Sequence, residues 1–216
     1  IGVKMNLLDN RLYTAIAWYD QDKTYRDSQT GALVAVYGDG LEFEMRALVS
    51  ENLSILATAT HTNTEEVSNG ALAVINGADF AAQNGLNPED VYGGRIAGPR
   101  SAFVGMNTRM ERGGLPDNIV SIYGTWAQEL GAGDVTGSLG LTWVDETYTD
   151  IMQTVMLPSY TVVNGSVSYA QGPFTGLLQV NNLLDEEYYT SADLFDSVVV
   201  KPSAGRTFSL TLTYAF

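Results

Sequence analysis

The feature that most constrains the fold of this sequence is a strict alternation of apolar and small polar residues, best developed at its C-terminal end. Phe208, Leu210, Leu212, Tyr214 and Phe216 alternate there with serine, threonine and alanine. A period of two residues is that of a β-strand, whose successive side chains point to opposite faces of a sheet. The pattern therefore predicts a strand with one apolar face and one polar face.

The same alternation recurs along the chain and predicts nine strands. They span residues 1–8, 11–24, 41–50, 53–64, 117–129, 134–147, 159–170, 174–184 and 205–216. Most are close to the ten residues or so with which a tilted strand crosses the hydrocarbon layer of a bilayer. No stretch approaches 18 continuous apolar residues, which excludes a transmembrane helix, and the mean hydropathy of −0.02 fits strands that are apolar on one face only.

The connections between these segments alternate between short and long. The short ones, at 8–10, 50–52, 130–133 and 171–173, consist largely of turn-forming residues, and the long ones span 25–40, 65–116, 148–158 and 185–204. Outer-membrane barrels are wired in this way, with brief periplasmic turns and long external loops. Because closed bacterial barrels have an even number of strands, nine strands predict either the C-terminal part of a larger barrel, with Ile1 internal to it, or one further strand that the alternation does not reveal.

Aromatic residues gather towards the ends of the predicted strands. We interpret five of them as a membrane girdle: Trp18, Trp126, Trp143, Tyr214 and Phe216. Tyr19, Tyr123 and Tyr160 fall in the same clusters. A soluble β-sandwich or a lipocalin-like barrel would also alternate, but such folds keep their loops short, whereas the 65–116 connection takes about 50 residues.

Composition excludes several classes of function. The net charge of −14, from 25 acidic and 11 basic residues, argues against nucleic acid as a partner. The absence of cysteine excludes disulfides, thiolate metal sites and cysteine nucleophiles. His61 is the only histidine and is interpreted as a side chain at the barrel rim rather than a ligand contact. Gly38-Asp39-Gly40 is interpreted as the turn into a strand. We therefore predict no enzyme activity, no cofactor and no metal site.

Three C-terminal motifs resemble a known family. They are Leu157-Pro158-Ser159-Tyr160, the block Asn181-Asn182-Leu183-Leu184-Asp185, and Gly205-Arg206-Thr207-Phe208 leading to a terminal Phe216. Together they resemble the end of TonB-dependent outer-membrane receptors, with Ser159 in place of glycine and Leu184 in place of phenylalanine. Ile1-Gly2-Val3-Lys4 with Asp9-Asn10-Arg11-Leu12, and Gly40-Leu41-Glu42-Phe43-Glu44, resemble earlier strands of the same barrels.

The resemblance implies an all-β fold, an antiparallel transmembrane barrel of 22 strands around a plug, of which residues 1–216 form about the last nine strands. It implies active uptake of a scarce ligand, such as a ferric siderophore, across the outer membrane of a Gram-negative bacterium. The implied partners are the lipid bilayer with its lipopolysaccharide, the barrel-assembly machinery through the strand that ends at Phe216, and the TonB complex. The last of these would act through an N-terminal plug and TonB box that lie outside this chain.

Two groups of residues are candidates for contact with a small-molecule ligand. The 65–116 loop combines cations with aromatic rings, a mixture suited to an anionic aromatic ligand: Tyr92, Arg95, Arg100, Phe103, Arg109 and Arg112. A self-packed surface loop is the alternative interpretation. Glu42, Glu44 and Arg46 alternate with apolar residues and are predicted to face the lumen, because an arginine on the lipid face near the midplane costs about 2–4 kcal/mol.

Two other functions fit the sequence. The first is a receptor of the same family that imports another ligand, such as cobalamin or a saccharide, and the second is a structural or adhesive barrel without a transport role. A fold alone does not choose among them.

Overall fold

The computed structural model describes residues 1–26, 33–68, 72–73, 85, 103–104, 109–149, 155–191 and 200–216. Within these ranges the chain consists of strands and turns. The strands are β1 Gly2–Leu7, β2 Leu12–Arg26, β3 Leu33–Leu48, β4 Leu53–Ser68, β5 Leu72–Ala73, β6 Phe103–Val104, β7 Arg109–Glu111, β8 Asn118–Leu130, β9 Gly133–Val144, β10 Thr147–Tyr148, β11 Met156–Leu157, β12 Tyr160–Gln171, β13 Phe174–Asn181, β14 Tyr189–Ser191, β15 Val200–Pro202 and β16 Thr207–Tyr214. In this part of the chain no helix is long and apolar enough to cross a membrane.

The nine long strands form one antiparallel sheet in chain order, β1-β2-β3-β4-β8-β9-β12-β13-β16. Each long strand pairs with its neighbours in this order, which is the meander that the alternation of short and long connections predicts. The short β7 pairs with the C-terminal part of β4. Three small separate ladders lie in the connections: β5-β6, β10-β11 and β14-β15. The prediction of nine antiparallel strands is confirmed.

Two predicted boundaries are wrong by more than three residues, both at the ends that carry the long connections. β3 begins at Leu33 rather than near residue 41, and β4 continues to Ser68, because these extensions pair with each other from Val34 opposite Ser68 downwards. Gly38-Asp39-Gly40 therefore lies within a strand and is not a turn. At Gly40 a side chain would meet the Tyr19 hydroxyl at 2.6 Å, so glycine is needed there for close approach.

The tight turns use backbone conformations that their residues tolerate. Gly131 and Gly172 have φ values of 67° and 56° at the first central position of two-residue hairpins, as a type II′ turn requires. The turn Leu8-Asp9-Asn10 is left-handed throughout, with φ of 53°, 54° and 66°. Asp and Asn adopt this region more readily than other non-glycine residues, so two of its three positions suit the turn.

The pairing register sorts the side chains into two faces that run across the whole sheet. Phe208, Leu210, Leu212 and Tyr214 lie opposite Val180, Leu178, Gly176 and Phe174, whereas Ser209, Thr211 and Thr213 lie opposite Gln179, Leu177 and Thr175. Glu42, Glu44 and Arg46 share the face of Thr60, Thr58 and Leu56. We call the face of Phe208, Leu210, Leu212 and Tyr214 the apolar face. The face of Glu42, Glu44 and Arg46 continues across the sheet to Ser209, and we call it the polar face.

The apolar face has no second layer against it in the described residues. Leu210 is 68% exposed and Leu212 is 78% exposed. In all the described residues, only two hydrophobic side chains are buried, Val34 and Leu157, and Val34 lies on the polar face. A buried side chain of this kind gains about 1.5–3 kcal/mol over an exposed one, so an apolar face of this extent requires a non-aqueous neighbour.

The strands are staggered along the sheet. A row of directly paired residues that starts at Leu7, beside the first turn, reaches β16 at Phe208. Tyr214, six residues further along β16, is the residue that lies opposite Phe174 beside the last turn. Closure of a sheet into a barrel of tilted strands requires such a stagger. Among the described strands, β1 and β16 each have one partner, so the chain forms an open segment of sheet.

Candidate ligand-binding site

Three charged residues of β3, Glu42, Glu44 and Arg46, lie on the polar face. Glu44 Oε1 lies 2.6 Å from Arg46 Nε, with 33% of the glutamate side chain and 70% of the arginine side chain exposed. These residues were predicted to lie together on one face, and the register places them there. An ion pair so open to solvent contributes little to stability, so it leaves the pair free to meet a polar partner on this face.

The polar face changes character towards the C-terminal strands, where hydroxyl groups replace charges. Ser121 Oγ lies 3.0 Å from Thr142 Oγ1, and Ser138 Oγ lies 2.6 Å from Ser166 Oγ. Each pair joins neighbouring strands on the face of Glu44. This part of the face is therefore hydrophilic and largely uncharged.

Residues 112–117 form a ledge at the loop end of the sheet. β4 pairs with β7, which precedes the ledge, and with β8, which follows it. At the two ends of the ledge, Arg112 N–H donates to Thr64 C=O at 2.8 Å and Thr62 N–H donates to Asp117 C=O at 2.8 Å. Asn63 alone thus lies opposite residues 113–116. The ledge is fixed to the next connection, because Gly114 N–H donates to Tyr148 C=O at 2.6 Å and Thr147 Oγ1 donates to Leu115 C=O at 3.0 Å.

A cavity of about 250 Å³ lies between this ledge and the polar face of the sheet. Ile119, Val144 and Tyr160 form its floor and lie in one paired row with Thr60 and Glu42. Its remaining walls come from the connections: Gly114, Pro116, Asp145, Thr147, Leu157, Pro158, Tyr189, Thr190 and Ser191.

None of the residues that line this cavity was predicted as a ligand contact, Tyr160 included. Tyr160, Tyr19 and Tyr123 fall in the aromatic clusters from which we predict the girdle. The register puts all three on the polar face instead. Tyr160 stacks on Tyr188 with a centroid distance of 4.0 Å and an interplanar angle of 11°. The alternation contained the signal, because Tyr160 is out of phase with the apolar residues Val163 and Val167 of its own strand.

The predicted ligand residues of the 65–116 segment are only partly described. Tyr92, Arg95 and Arg100 lie outside the described residues, and Phe103 is described only as a backbone position in β6. Arg109 is bound to the Glu65 carboxylate and its guanidinium lies 4.3 Å from the ring centroid of Tyr37, on the apolar side of the sheet.

Arg112 does not lie beside Arg109. Its Nε is 3.7 Å from Glu66 Oε2, and these side chains are 19% and 14% exposed. Because Glu65 and Glu66 are consecutive in β4, they hold the two arginines on opposite faces. The structure does not bring the two together as one cationic site.

The five predicted girdle residues are placed as follows. Trp18 and Trp126 lie within β2 and β8 on the apolar face, and Trp143 lies on the same face one residue before the end of β9. Tyr214 lies at the turn end, with its ring centroid 4.7 Å from that of Phe174 and 5.9 Å from that of Phe216.

A polar network lies at the rim, around the single histidine. His61 Nδ1 is 2.9 Å from Asn118 Oδ1, and Asn118 Nδ2 donates to Asp145 Oδ2 at 2.6 Å. Burial raises the pKa of Asp117 above its usual value of 3.8, while His61 opposes this shift and Asp145 adds to it. The described residues contain no group of three or more His, Asp or Glu side chains arranged to hold a metal ion.

The Asn181–Asp185 motif forms a clasp at the opposite side of the loop end. Asn182 is buried and has a φ of 52°. Its Nδ2 donates to Glu186 C=O and its Oδ1 accepts Glu186 N–H, both at 2.9 Å, while its own N–H donates to Asn164 Oδ1 at 2.9 Å. This motif is therefore explained by chain geometry rather than by ligand chemistry.

No family model and no curated protein matches the sequence. Solved structures do match it. The siderophore receptor PiuA from Acinetobacter baumannii is 19% identical, with a TM-score of 0.66 over 99% of this chain and 27% of the receptor. The ferric yersiniabactin uptake receptor FyuA from Yersinia pestis is 15% identical, with a TM-score of 0.69 over 100% of this chain and 29% of the receptor.

The ferripyoverdine receptor of the outer membrane of Pseudomonas aeruginosa is also similar, at 14% identity and a TM-score of 0.59 over 99% of this chain and 26% of that receptor. The chain thus spans less than a third of the length of each of these three receptors. At these identities the likeness concerns the fold. The predicted fold class, part of an antiparallel receptor barrel, is confirmed.

Proposed function

We propose that this chain is the C-terminal part of the barrel of a TonB-dependent outer-membrane receptor that takes up a ferric siderophore. One observation carries the proposal: all nine long strands superpose on siderophore receptor barrels while their register produces one continuous apolar face and one polar face. A soluble sheet of nine strands would require a covering layer for its apolar face.

In this proposal the apolar face contacts the lipid bilayer, and the polar face lines the lumen. The acidic residues of the loop end lie at the height of lipopolysaccharide. The strand that ends at Phe216 would be read by the barrel-assembly machinery. Energy would arrive from the TonB complex through a plug segment outside residues 1–216.

Within the lumen, the ledge and the cavity beneath it are the described part of the wall with which a ligand would come into contact. Glu42, Glu44 and Arg46 lie further along the same face and provide both signs of charge for a polar ligand or for a plug. We retain Tyr92, Arg95, Arg100, Phe103, Arg109 and Arg112 as candidate contacts, with Arg112 on the polar side. The protein would act as a receptor and transporter and would not catalyse a reaction.

The test is iron uptake by the full-length receptor that contains this chain. The gene would be expressed in a Gram-negative strain that lacks its own siderophore receptors, and uptake of ⁵⁵Fe would be measured with a ferric catecholate and a ferric hydroxamate, in tonB⁺ and tonB⁻ backgrounds. We expect TonB-dependent uptake of at least one chelate. TonB-dependent uptake of cobalamin or a saccharide without iron uptake would contradict the siderophore assignment, and a gene without a plug-encoding segment would contradict the transport role.

A further inference from the structure

The cavity beneath the ledge is smaller than a site that encloses a whole ligand. Its volume is about 250 Å³, whereas sites that surround a drug-sized molecule measure roughly 300–1,000 Å³. A ferric chelate can therefore place only one group in it. This inference rests on the proposed function and concerns the chemical nature of that group.

The walls of the cavity favour a flat apolar group. Ile119, Val144 and Leu157 supply aliphatic surface, and Pro116 and Tyr160 supply flat surface. Tyr160 is held in place by its stacking on Tyr188 at a centroid distance of 4.0 Å, so this wall is rigid before a ligand arrives. A ring that packs against a fixed aromatic face loses little freedom in doing so, and aromatic pairs gain more than the burial of their area alone.

The charges at the cavity exclude an anionic group. Among the described residues that line the cavity, Asp145 is the one charged residue, and its carboxylate accepts a hydrogen bond from Asn118 Nδ2 at 2.6 Å. Burial raises the pKa of the neighbouring Asp117, so the low-dielectric surroundings of the ledge disfavour negative charge. Arg112, the one cation of the ledge itself, has its Nε 3.7 Å from Glu66 Oε2.

We propose that the cavity bounded by Pro116, Ile119, Val144, Leu157 and Tyr160 binds a single uncharged aromatic ring carried at the periphery of the transported ferric chelate. The rest of the chelate then faces the lumen, along the row that leads through Thr60 to Glu42. The ring site determines which chelates are preferred and takes no part in holding the iron.

The test uses three forms of ferrioxamine B that share one iron centre and differ only in an uncharged cap on the terminal amine: N-acetyl, N-benzoyl and N-hexanoyl. Binding to the purified full-length receptor is measured for each. We expect the benzoyl form to bind about tenfold more tightly than the acetyl and hexanoyl forms. Equal binding of all three, or no binding of any, contradicts the ring site, and a hexanoyl form that binds as tightly as the benzoyl form contradicts its preference for a ring.

Two variants fill the cavity from different strands, Val144→Trp and Ile119→Trp. If one of them fails to fold, the other still tests the ring site. Val162→Trp is the matched control, since Val162 is on the same polar face in the adjacent strand but does not line the cavity. Both cavity variants are expected to abolish the preference for the benzoyl form over the acetyl form, while the control retains that preference. Loss of the preference in the control as well overturns the assignment. If the ring site fails while the receptor still shows TonB-dependent ⁵⁵Fe uptake with another ferric chelate, the proposed function stands and only the ring site is lost.

Discussion

Asp185 Oδ1 accepts the backbone N–H of Arg206 at 2.7 Å, which ties the end of β13 to the start of β16 across 21 positions of the chain. The Arg206 guanidinium adds a hydrogen bond to Leu183 C=O at 3.2 Å, and Gly205 lies so close that a side chain there would be 3.2 Å from Asp185 Oδ1. The Asn-Asn-Leu and Gly-Arg motifs are thus two halves of one clasp.

Replacement of Asp185 by alanine should loosen this clasp. The lost bond joins a carboxylate to a backbone N–H, so we expect the free energy of unfolding to fall by about 1–3 kcal/mol. The Arg206 ion pair at 4.0 Å is exposed and should contribute little to that figure. Denaturant unfolding of the full-length receptor measures the change, with Glu187→Ala as the neighbouring control. Equal stability of Asp185→Ala and the control would contradict the role of the clasp.

The assignment of faces predicts opposite outcomes for adjacent residues of β16. Leu210→Arg places a charge on the apolar face and should destabilise the folded barrel by about 2–4 kcal/mol if that position is near the midplane. Thr211→Arg places the same charge on the polar face and should cost much less. The unfolding free energies of the two variants in lipid vesicles provide the comparison, and a larger loss for Thr211→Arg would reverse the assignment.

Asp117 predicts a dependence of local stability on pH. Because burial raises its pKa in the folded state, Asp117 contributes stability that is fully present below about pH 3.8 and is lost as the pH rises through the raised value. His61 lowers the pKa of Asp117 and Asp145 raises it, and both residues belong to the hydrogen-bond network at the rim. Asp117→Asn should therefore stabilise the ledge at pH 7 and have little effect at low pH.

Hydrogen exchange of Thr62 N–H, which donates to Asp117 C=O at 2.8 Å, measures this effect directly. Slower exchange in Asp117→Asn at pH 7 than in the parent protein is the expected result, after correction for intrinsic exchange rates. Glu146→Gln, an exposed change nearby, is the control. Faster exchange in the variant at pH 7 would contradict the sign of the shift.

How much of the fold could be predicted from the sequence depends on whether the two faces of a segment lie in different surroundings. Leu210 and Ser209 lie on faces with opposite requirements, so their strand is visible as alternation. The upper parts of β3 and β4 lack such a contrast: Val34 and Val36 share the polar face with Gly38, while Asp39 lies on the other. Gly38-Asp39-Gly40 then has the composition of a turn, and only the pairing with β2 and β4 shows that it is a strand.

The ledge could not be predicted because no local signal specifies it. Residues 112–117 have the composition of an ordinary loop, and their position depends on hydrogen bonds to Thr62, Thr64 and Tyr148 that are remote in sequence. The face on which Tyr160 lies could have been predicted by counting in steps of two from Val167. Its position in a cavity could not have been predicted, because the cavity also requires the ledge and Leu157.

The open edges of the sheet predict that residues 1–216 do not fold alone in a membrane. β16 has eight residues and one described partner, which leaves about four N–H and four C=O groups directed away from the sheet. Each unsatisfied group costs several kcal/mol in hydrocarbon, more in total than the roughly 5–15 kcal/mol of a domain's stability. Expression of this segment with a signal peptide should give no heat-modifiable monomer band in outer membranes, and such a band would show that the strands close on themselves.

A cysteine scan of positions 207–214 in the full-length receptor tests the central claim most directly, since residues 1–216 contain no cysteine of their own. Each position would carry a spin label in lipid vesicles, and its accessibility to oxygen, which concentrates in lipid, would be compared with that to a water-soluble nickel complex. We predict a period of two, with oxygen access highest at 208, 210 and 212 and nickel access highest at 209, 211 and 213. Uniform access to the nickel complex at all eight positions would contradict a membrane-spanning strand, and with it the account of this chain as part of an outer-membrane receptor barrel.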